Sequence, residues 1–345
     1  MVALAFCVLE ISGTNDKMSI WRMCLSLLSV SCIPMQALAG RCWRDTTCSG
    51  PDKTAFPGTL GYWRIRQHRR PSSHCTGKWE NNIYAPSSRI VSPEKIFTIQ
   101  NRTAQSWLGS TKLHGNGSNA VFDFGREVGG IVSLSYSSSG AGSLGLAFTE
   151  ASTWIGEWSD ASNGKFAGRD GALYANFSGA INGSYTMPDK VMRGGFRYLT
   201  LFLITNGNTA VDISDVKLDI SFQPTWSNLR AYQGYFHSSD ELLNRIWYAG
   251  AYTLQTNSVP VNTGRWVPML ANGWANNGTL GPGETIIVDG AKRDRAVWPG
   301  DMGIAVPSGF VSIGDLDSVK NALQVMYNYQ VRMDILQFVK LTAVE

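Results

Sequence analysis

The sequence predicts a multidomain β + α protein, in which a β-sandwich or jelly-roll domain precedes a helical domain. A length of 345 residues corresponds to about two domains of ordinary size. Apolar residues make up 43% of the chain and charged residues 16%, and the many glycines and aromatic residues suit a turn-rich β protein. Apolar and polar residues alternate within residues 83–225, whereas helical spacing begins only near residue 226.

The first 39 residues have the pattern of a secretory signal peptide. From a plausible start at Met18, Arg22 precedes a short apolar stretch that ends in a small-x-small cleavage pattern at residues 37–39. A buried N-terminal helix is the alternative. Cys42 and Cys48 follow, and in a secreted chain they can close a small loop as a disulfide.

Sequons for N-glycosylation also favour an extracellular location. Five Asn-x-Ser/Thr triplets occur, and together with the signal peptide they predict a glycosylated secreted protein. The five asparagines are Asn101, Asn116, Asn176, Asn182 and Asn277.

Residues 40–82 show neither a strand period nor a helix period, and we expect them to be irregular. Within them, residues 59–77 contain four arginines and no acid, which accounts for the whole net charge of +4. We interpret this stretch, and the tail that begins at Val331, as translated introns. A genuine basic loop and a genuine C-terminal helix are the alternative.

The β domain is expected over residues 83–225. Val132–Tyr136, Leu144–Phe148 and Val216–Phe222 alternate apolar with polar residues, as half-buried strands do. The run Phe196–Ile204 is apolar on both faces and predicts a central strand, which residues 206–208 end as a turn.

The helical domain is expected over residues 226–345. Ser238–Glu241 has the form of a capping box, and apolar residues from Leu242 to Leu254 follow at helical spacing. A second helix is predicted from Asp317, with Val319, Leu323, Met326 and Tyr329 on one stripe. No element is predicted between them, over residues 256–316, and a connection this long is usually functional.

The densest charged cluster of the chain lies over residues 289–301. It suits sugar hydrolysis, in which one carboxyl group protonates the leaving oxygen, a second activates water, and Arg and Trp hold the sugar. A solvated charged loop is the alternative. The cluster consists of Asp289, Lys292, Arg293, Asp294, Arg295, Trp298 and Asp301.

This cluster resembles a segment of the α-L-rhamnosidases of glycoside hydrolase family 78, which reads Asp-x-Pro-x-Arg-Asp-Glu-Arg-x-x-Trp-x-Gly-Asp. The resemblance extends over residues 79–330 and includes Val121–Gly130, Phe196–Tyr198 and Phe236–Trp247. The chain looks like the fungal branch of that family. The resemblance implies inverting hydrolysis of terminal α-L-rhamnosyl residues, no cofactor, and a β-sandwich followed by an incomplete (α/α)6 barrel over residues 226–345.

The resemblance also implies roles for single residues. Asp289 would bind substrate, and Arg293, Trp298 and Asp301 would contact the sugar. The family's general acid is the Glu that follows the Arg-Asp pair, but here Asp294 is followed directly by Arg295. We therefore predict Asp294 as the general acid, provided that it is shielded from its neighbouring Arg, with Asp289 as the second choice.

The expected partner is a carbohydrate, such as a rhamnoside or a pectic or plant glycoside. We expect the catalytic base beyond residue 345 and therefore an N-terminal fragment that is inactive alone. A non-catalytic sugar-binding or remnant protein, or a glycosidase acting on another sugar, are the alternatives. The small net charge argues against nucleic-acid binding, the lack of a long apolar run against a membrane span, and the Cys spacing and few His against a metal site.

Overall fold

The computed structural model describes residues 77–162, 168–265 and 273–329. Several sequence predictions lie outside these residues: the signal peptide, the Cys42–Cys48 disulfide, the tail from Val331, and the basic stretch 59–77 apart from Gly77.

Most of the described residues before position 225 belong to one antiparallel, hydrogen-bonded network of strands. A separate pair, β11 and β12, lies in the second half of the chain. The strands are β1 (Ile90–Val91), β2 (Lys95–Phe97), β3 (Gln105–Ser106), β4 (Ser110–His114), β5 (Asn119–Ser139), β6 (Gly142–Thr149), β7 (Leu173–Phe177), β8 (Ala180–Thr186), β9 (Arg193–Ile204), β10 (Ala210–Ile220), β11 (Ser258–Pro260) and β12 (Thr285–Ile287).

Strand β5 organises this network. The main path runs β1-β10-β5-β9-β6-β7, and β5 also pairs with β2 and β8. Its first residues pair with β9, whereas Ser133–Ser139 pair with β8, so the strand changes neighbours along its length. The register shifts between Asp123 and Val128, as at a β-bulge, where a strand bends. The sheet therefore curls over its core and is compatible with the predicted β-sandwich.

The predicted central strand is confirmed. Along β9 only Ile204 is exposed and Arg197 is half-buried, while the remaining side chains are buried on both faces. Phe196 packs edge-on against Phe124 and Phe148, whose ring centroids lie 5.7 and 4.9 Å away. Such edge-to-face pairs fix the aromatic core beyond simple burial.

Three helices follow: α1 (Glu241–Thr256), α2 (Pro299–Ser312) and α3 (Asp317–Asn328). Helix α2 was not predicted, because three glycines and the internal Pro307 obscure its helical pattern. Tyr248, Ala251 and Tyr252 of α1 belong to the same hydrophobic core as the sheet. The helices described here do not establish an (α/α)6 barrel, and that expectation stays a prediction.

Two details of the helix predictions were wrong. The N-cap of α1 is Asp240, not Ser238, because the Asp240 carboxylate accepts hydrogen bonds from the backbone N–H groups of Leu242 and Leu243. On α3 the predicted stripe is only partly buried: Val319 is buried and Met326 is half-buried, whereas Leu323 and Tyr329 are exposed. The buried side chains of α3 are Ser318, Val319, Ala322 and Val325.

The apolar stripe of α1 is also placed differently from the expectation. Leu242, Leu243 and Ile246 are exposed, although their helical spacing predicts burial. Among the described helices, none is long and apolar enough to cross a membrane.

Candidate active site

The charged cluster lies on the loop between β12 and α2, where it packs against the curled sheet. The backbone N–H of Asp289 donates to the carbonyl of Ala296 at 3.0 Å and closes the loop. A side chain on Gly194 of β9 would overlap the carbonyl of Ala291, so glycine allows the close contact between loop and strand.

Asp289 shapes this loop from inside. Its two carboxylate oxygens accept from the backbone N–H groups of Asp294 at 2.9 Å and Ala296 at 3.0 Å. Burial raises the pKa of Asp289; the two hydrogen bonds lower it, and the charges of Asp294 and Asp301 raise it. Asp289 therefore holds the loop, and its carboxyl group is protonated more easily than that of an ordinary aspartate.

Arg295 directly follows Asp294, and its side chain has a structural role in the loop. It is buried and donates to the carbonyl of Ala291 at 2.6 Å and to the hydroxyl and carbonyl of Thr263, the former at 2.7 Å. Burial lowers the pKa of Arg295 to about 9, against the attraction of Asp289. The position after Asp294 thus points into the protein.

Asp294 is not shielded from its neighbouring arginine, as its predicted role as general acid requires. Its carboxylate lies 3.1 Å from the guanidinium of Arg293, with both side chains partly exposed. An adjacent cation favours a carboxylate over a carboxylic acid. Its role as general acid stays a prediction.

The remaining two predicted contacts flank the start of α2. Trp298 is half-buried at the N-cap position of this helix, and its indole N–H has no hydrogen-bond partner within the described residues. Asp301 is exposed in the first helical turn. Both lie on the same loop-and-helix unit as the Arg293–Asp294 pair.

Ion pairs tie the loop to the sheet. Lys292 contacts Glu150 and Asp160, each at 3.2 Å. Asp160 also pairs with Arg193 at 2.6 Å, and Arg193 pairs with Asp170 at 2.6 Å. Arg193 and Asp170 are fully buried, so this end of the network is shielded from water and the two charges depend on each other, whereas Glu150 at the other end is exposed.

Two residues of the site were missed from the sequence. Glu127 on β5 has its carboxylate near Gly195 and the loop residue Lys292. Burial and, to a smaller extent, the charge of Glu150 raise the pKa of Glu127 to about 7, against the opposing charge of Lys292. It lies on a strand that is far in sequence from the 289–301 cluster.

Arg265 is the second missed residue. It is buried, and its backbone N–H donates to the carbonyl of Arg295 at 3.2 Å. Burial lowers its pKa, which Asp170 and Asp294 raise and Arg193 lowers. Its Nε and one Nη have no hydrogen-bond partner in the described part of the chain. No sequence signal marks it, because it lies outside the 289–301 cluster.

Asp123 at the bend of β5 has a structural role, because its carboxylate accepts two hydrogen bonds from Arg197, at 2.7 and 2.9 Å. No group of three or more potential metal ligands occurs among residues 77–162, 168–265 and 273–329. All five sequon asparagines are exposed: Asn101, Asn116, Asn176, Asn182 and Asn277.

Comparison with known proteins gives partial structural matches. No family model matches the chain, and no curated protein does. A rhamnosidase from Klebsiella oxytoca with rhamnose bound is 15% identical with a TM-score of 0.44, over 72% of this chain and 45% of that one. A family 78 rhamnosidase of Bacillus sp. GL1 is 18% identical with a TM-score of 0.43, over 73% of this chain and 20% of that one.

A shorter match involves a carbohydrate-binding module of Clostridium perfringens. It is 12% identical with a TM-score of 0.26, over 37% of this chain and 95% of that one. The chain thus spans less than half the length of either rhamnosidase. Alignments with TM-scores this low assign neither a family nor an activity.

Proposed function

We propose that this chain is part of a secreted glycoside hydrolase of the α-L-rhamnosidase type, whose sugar site is formed by residues 289–301. The observation that carries the proposal is the construction of the loop. Asp289 and Arg295 fix its backbone from inside, while Arg293, Asp294 and Asp301 are left at or near its surface. A preorganised set of charged groups is what selective binding of hydroxyl groups requires.

Nearby groups support a polar ligand of this kind. Arg265 lies close enough to Asp294 to interact with it electrostatically and has N–H groups without partners. These N–H groups are themselves buried, so Arg265 supports the site through its charge beside Asp294. The half-buried indole of Trp298 supplies an apolar surface beside these charges, as sugar rings prefer. Secretion, the fungal relationship and the family membership are part of the same proposal.

A non-catalytic sugar-binding protein is the second candidate, and one observation favours it. The residue that follows Asp294 is a fully buried arginine, so the Glu that follows the Arg-Asp pair in the rhamnosidase motif has no counterpart on this loop. Loss of one acid or base costs about 10²–10⁴-fold in rate. A protein of this kind would bind the sugar without hydrolysing it.

One experiment separates the two candidates. The 345-residue chain is titrated with L-rhamnose, and a longer chain that carries the expected catalytic base is assayed on p-nitrophenyl α-L-rhamnoside, together with Asp294→Asn and, as a surface control, Asp212→Asn. The glycosidase predicts turnover by the longer chain that Asp294→Asn reduces by at least about 10²-fold while Asp212→Asn leaves it unchanged. Binding of rhamnose without turnover by the longer chain indicates the sugar-binding protein. Absence of both would refute the sugar site.

A further inference from the structure

A second polar cavity lies away from the 289–301 loop, on the other side of strand β5. It has a volume of about 470 Å³, which is within the range of small-molecule sites. Half of its lining is apolar and half can form hydrogen bonds. The lining residues are Ala85, Pro86, Ser87, Ser88, Ile90, Val91, Ser92, Glu94, Phe124, Arg126, Val128 and Arg230.

Strand alternation separates this cavity from the first site. Arg126 and Glu127 are neighbours on β5, and successive side chains of a strand point to opposite faces. Arg126 donates to the carbonyl of Tyr84 at 2.5 Å and lines the cavity. Glu127 instead lies against Gly195 and Lys292. A ligand in the cavity therefore meets a different set of residues from those of the loop.

The cavity wall carries an excess of positive charge. Two guanidinium groups, of Arg126 and Arg230, face one carboxylate, of Glu94. Arg230 uses three hydrogen bonds, of 2.7 to 2.8 Å, on the carbonyls of Glu80, Ile83 and Ala85. Burial lowers the pKa of Arg230; Glu80 and Tyr232 raise it, and the like charge of Arg126 lowers it. Arg126 and Arg230 therefore lie near enough to interact, although Glu80 affects Arg230 more strongly than Arg126 does, and both guanidinium groups border the cavity.

The single acid in the wall is a weak competitor for such an anion. Arg126 and Glu94 form an ion pair of 3.3 Å, in which the side chains are 35% and 48% exposed. Exposed pairs of this kind contribute little to stability. A ligand carboxylate can take the place of Glu94 at little cost.

The wall segment is held rigidly by a buried side chain. Arg89 lies between the lining residues Ser88 and Ile90, and its guanidinium donates to the carbonyls of Phe222 at 3.0 Å and Trp226 at 2.6 Å. Gly125 allows Glu94 to approach, since its φ of 74° and the lack of a side chain leave room for that carboxylate. The cavity is therefore a preformed feature of the fold.

We propose that this cavity binds a carboxylate-bearing sugar, a hexuronate, with its carboxylate between Arg126 and Arg230. The apolar half of the lining suits the C–H face of a pyranose ring, and the three serine hydroxyl groups suit its hydroxyl groups. Arginine is the side chain that best matches a carboxylate, because its N–H groups are arranged as a planar fork.

The test uses saturation-transfer NMR on the 345-residue chain with D-galacturonate, D-galactose and acetate. Binding of galacturonate alone, weakened about tenfold or more by Arg126→Gln, is the expected result. Lys112→Gln is the matched control: it removes one positive charge from an exposed ion pair on β4, with both partners 59% exposed, and binding should not change.

A second variant keeps the proposal testable if Arg126→Gln is poorly folded. Ser92 is exposed at the cavity, so Ser92→Trp fills the opening without removing a core contact and should abolish binding. Thermal melting verifies that each variant is folded. Galactose binding as well as galacturonate, acetate binding equally well, or galacturonate binding that survives Ser92→Trp would each overturn the proposal.

Discussion

Replacing Glu127 by glutamine should flatten the pH dependence of stability, because this carboxyl group beside the loop has a strongly raised pKa. Glu127 is half-buried on β5, between the loop residue Lys292 and the carboxylate of Glu150. Burial raises its pKa from 4.5 to about 7, and the neighbouring Glu150 adds to this effect. Folding therefore favours the protonated carboxyl group.

The sign and the size of the effect follow from this pKa. The pKa of Glu127 is higher in the folded state than in the unfolded state. The contribution of Glu127 to the free energy of unfolding is therefore fully present below the unfolded-state pKa and is lost as pH rises through about 7. A change from 4.5 to about 7 corresponds to about 3 kcal/mol at most. Partial exposure reduces this to about 1–3 kcal/mol.

Urea denaturation of the wild-type chain and Glu127→Gln, from about pH 4 to about pH 8, measures the difference. The variant should equal the wild type at the acidic end and exceed it by about 1–3 kcal/mol at the alkaline end. Asp219, whose pKa burial also raises to about 7, titrates in both proteins, so its contribution cancels in the difference between their free energies of unfolding. Parallel stability curves would refute the placement of Glu127 in a poorly solvated site.

Two further predictions concern stability. Arg193→Met leaves the buried Asp170 without its ion-pair partner and leaves Asp160 paired with Lys292 alone. It should cost about 3–5 kcal/mol in the free energy of unfolding, measured by urea denaturation; a loss below about 1 kcal/mol contradicts the buried network. Asp240→Ala should lower the free energy of unfolding by about 1 kcal/mol and Ser238→Ala by less, since Asp240 is the N-cap of α1. A larger loss for Ser238→Ala would instead support Ser238 as the N-cap, as the capping box in the sequence predicts.

The β part could be predicted from the sequence because its signals are local. Period-two alternation and the apolar run of β9 each identify a strand without knowledge of its partners. Pairing is different: β5 contacts β10, β9, β8 and β2, and nothing local in its residues specifies four neighbours. The curl of the sheet therefore required the structure.

The helices show where local signals fail. The apolar spacing on α1 gives the right helix but the wrong buried face, since Tyr248, Tyr252 and Gln255 are buried while Leu242 is exposed. Glycine and proline conceal α2 entirely. Burial depends on which elements are adjacent, and the spacing of apolar residues does not contain that information.

The charged loop makes the same point for the site. Composition marks all seven members of the cluster equally, but the structure divides them by use. Asp289 and Arg295 hold the loop, and Lys292 ties it to the sheet. Only Arg293, Asp294, Trp298 and Asp301 are left for a ligand, and the carboxyl group most ready to hold a proton near neutral pH, Glu127, comes from a strand far away in sequence. Charge density marks a candidate site, whereas burial and hydrogen bonding decide which of its charged groups are available to a ligand.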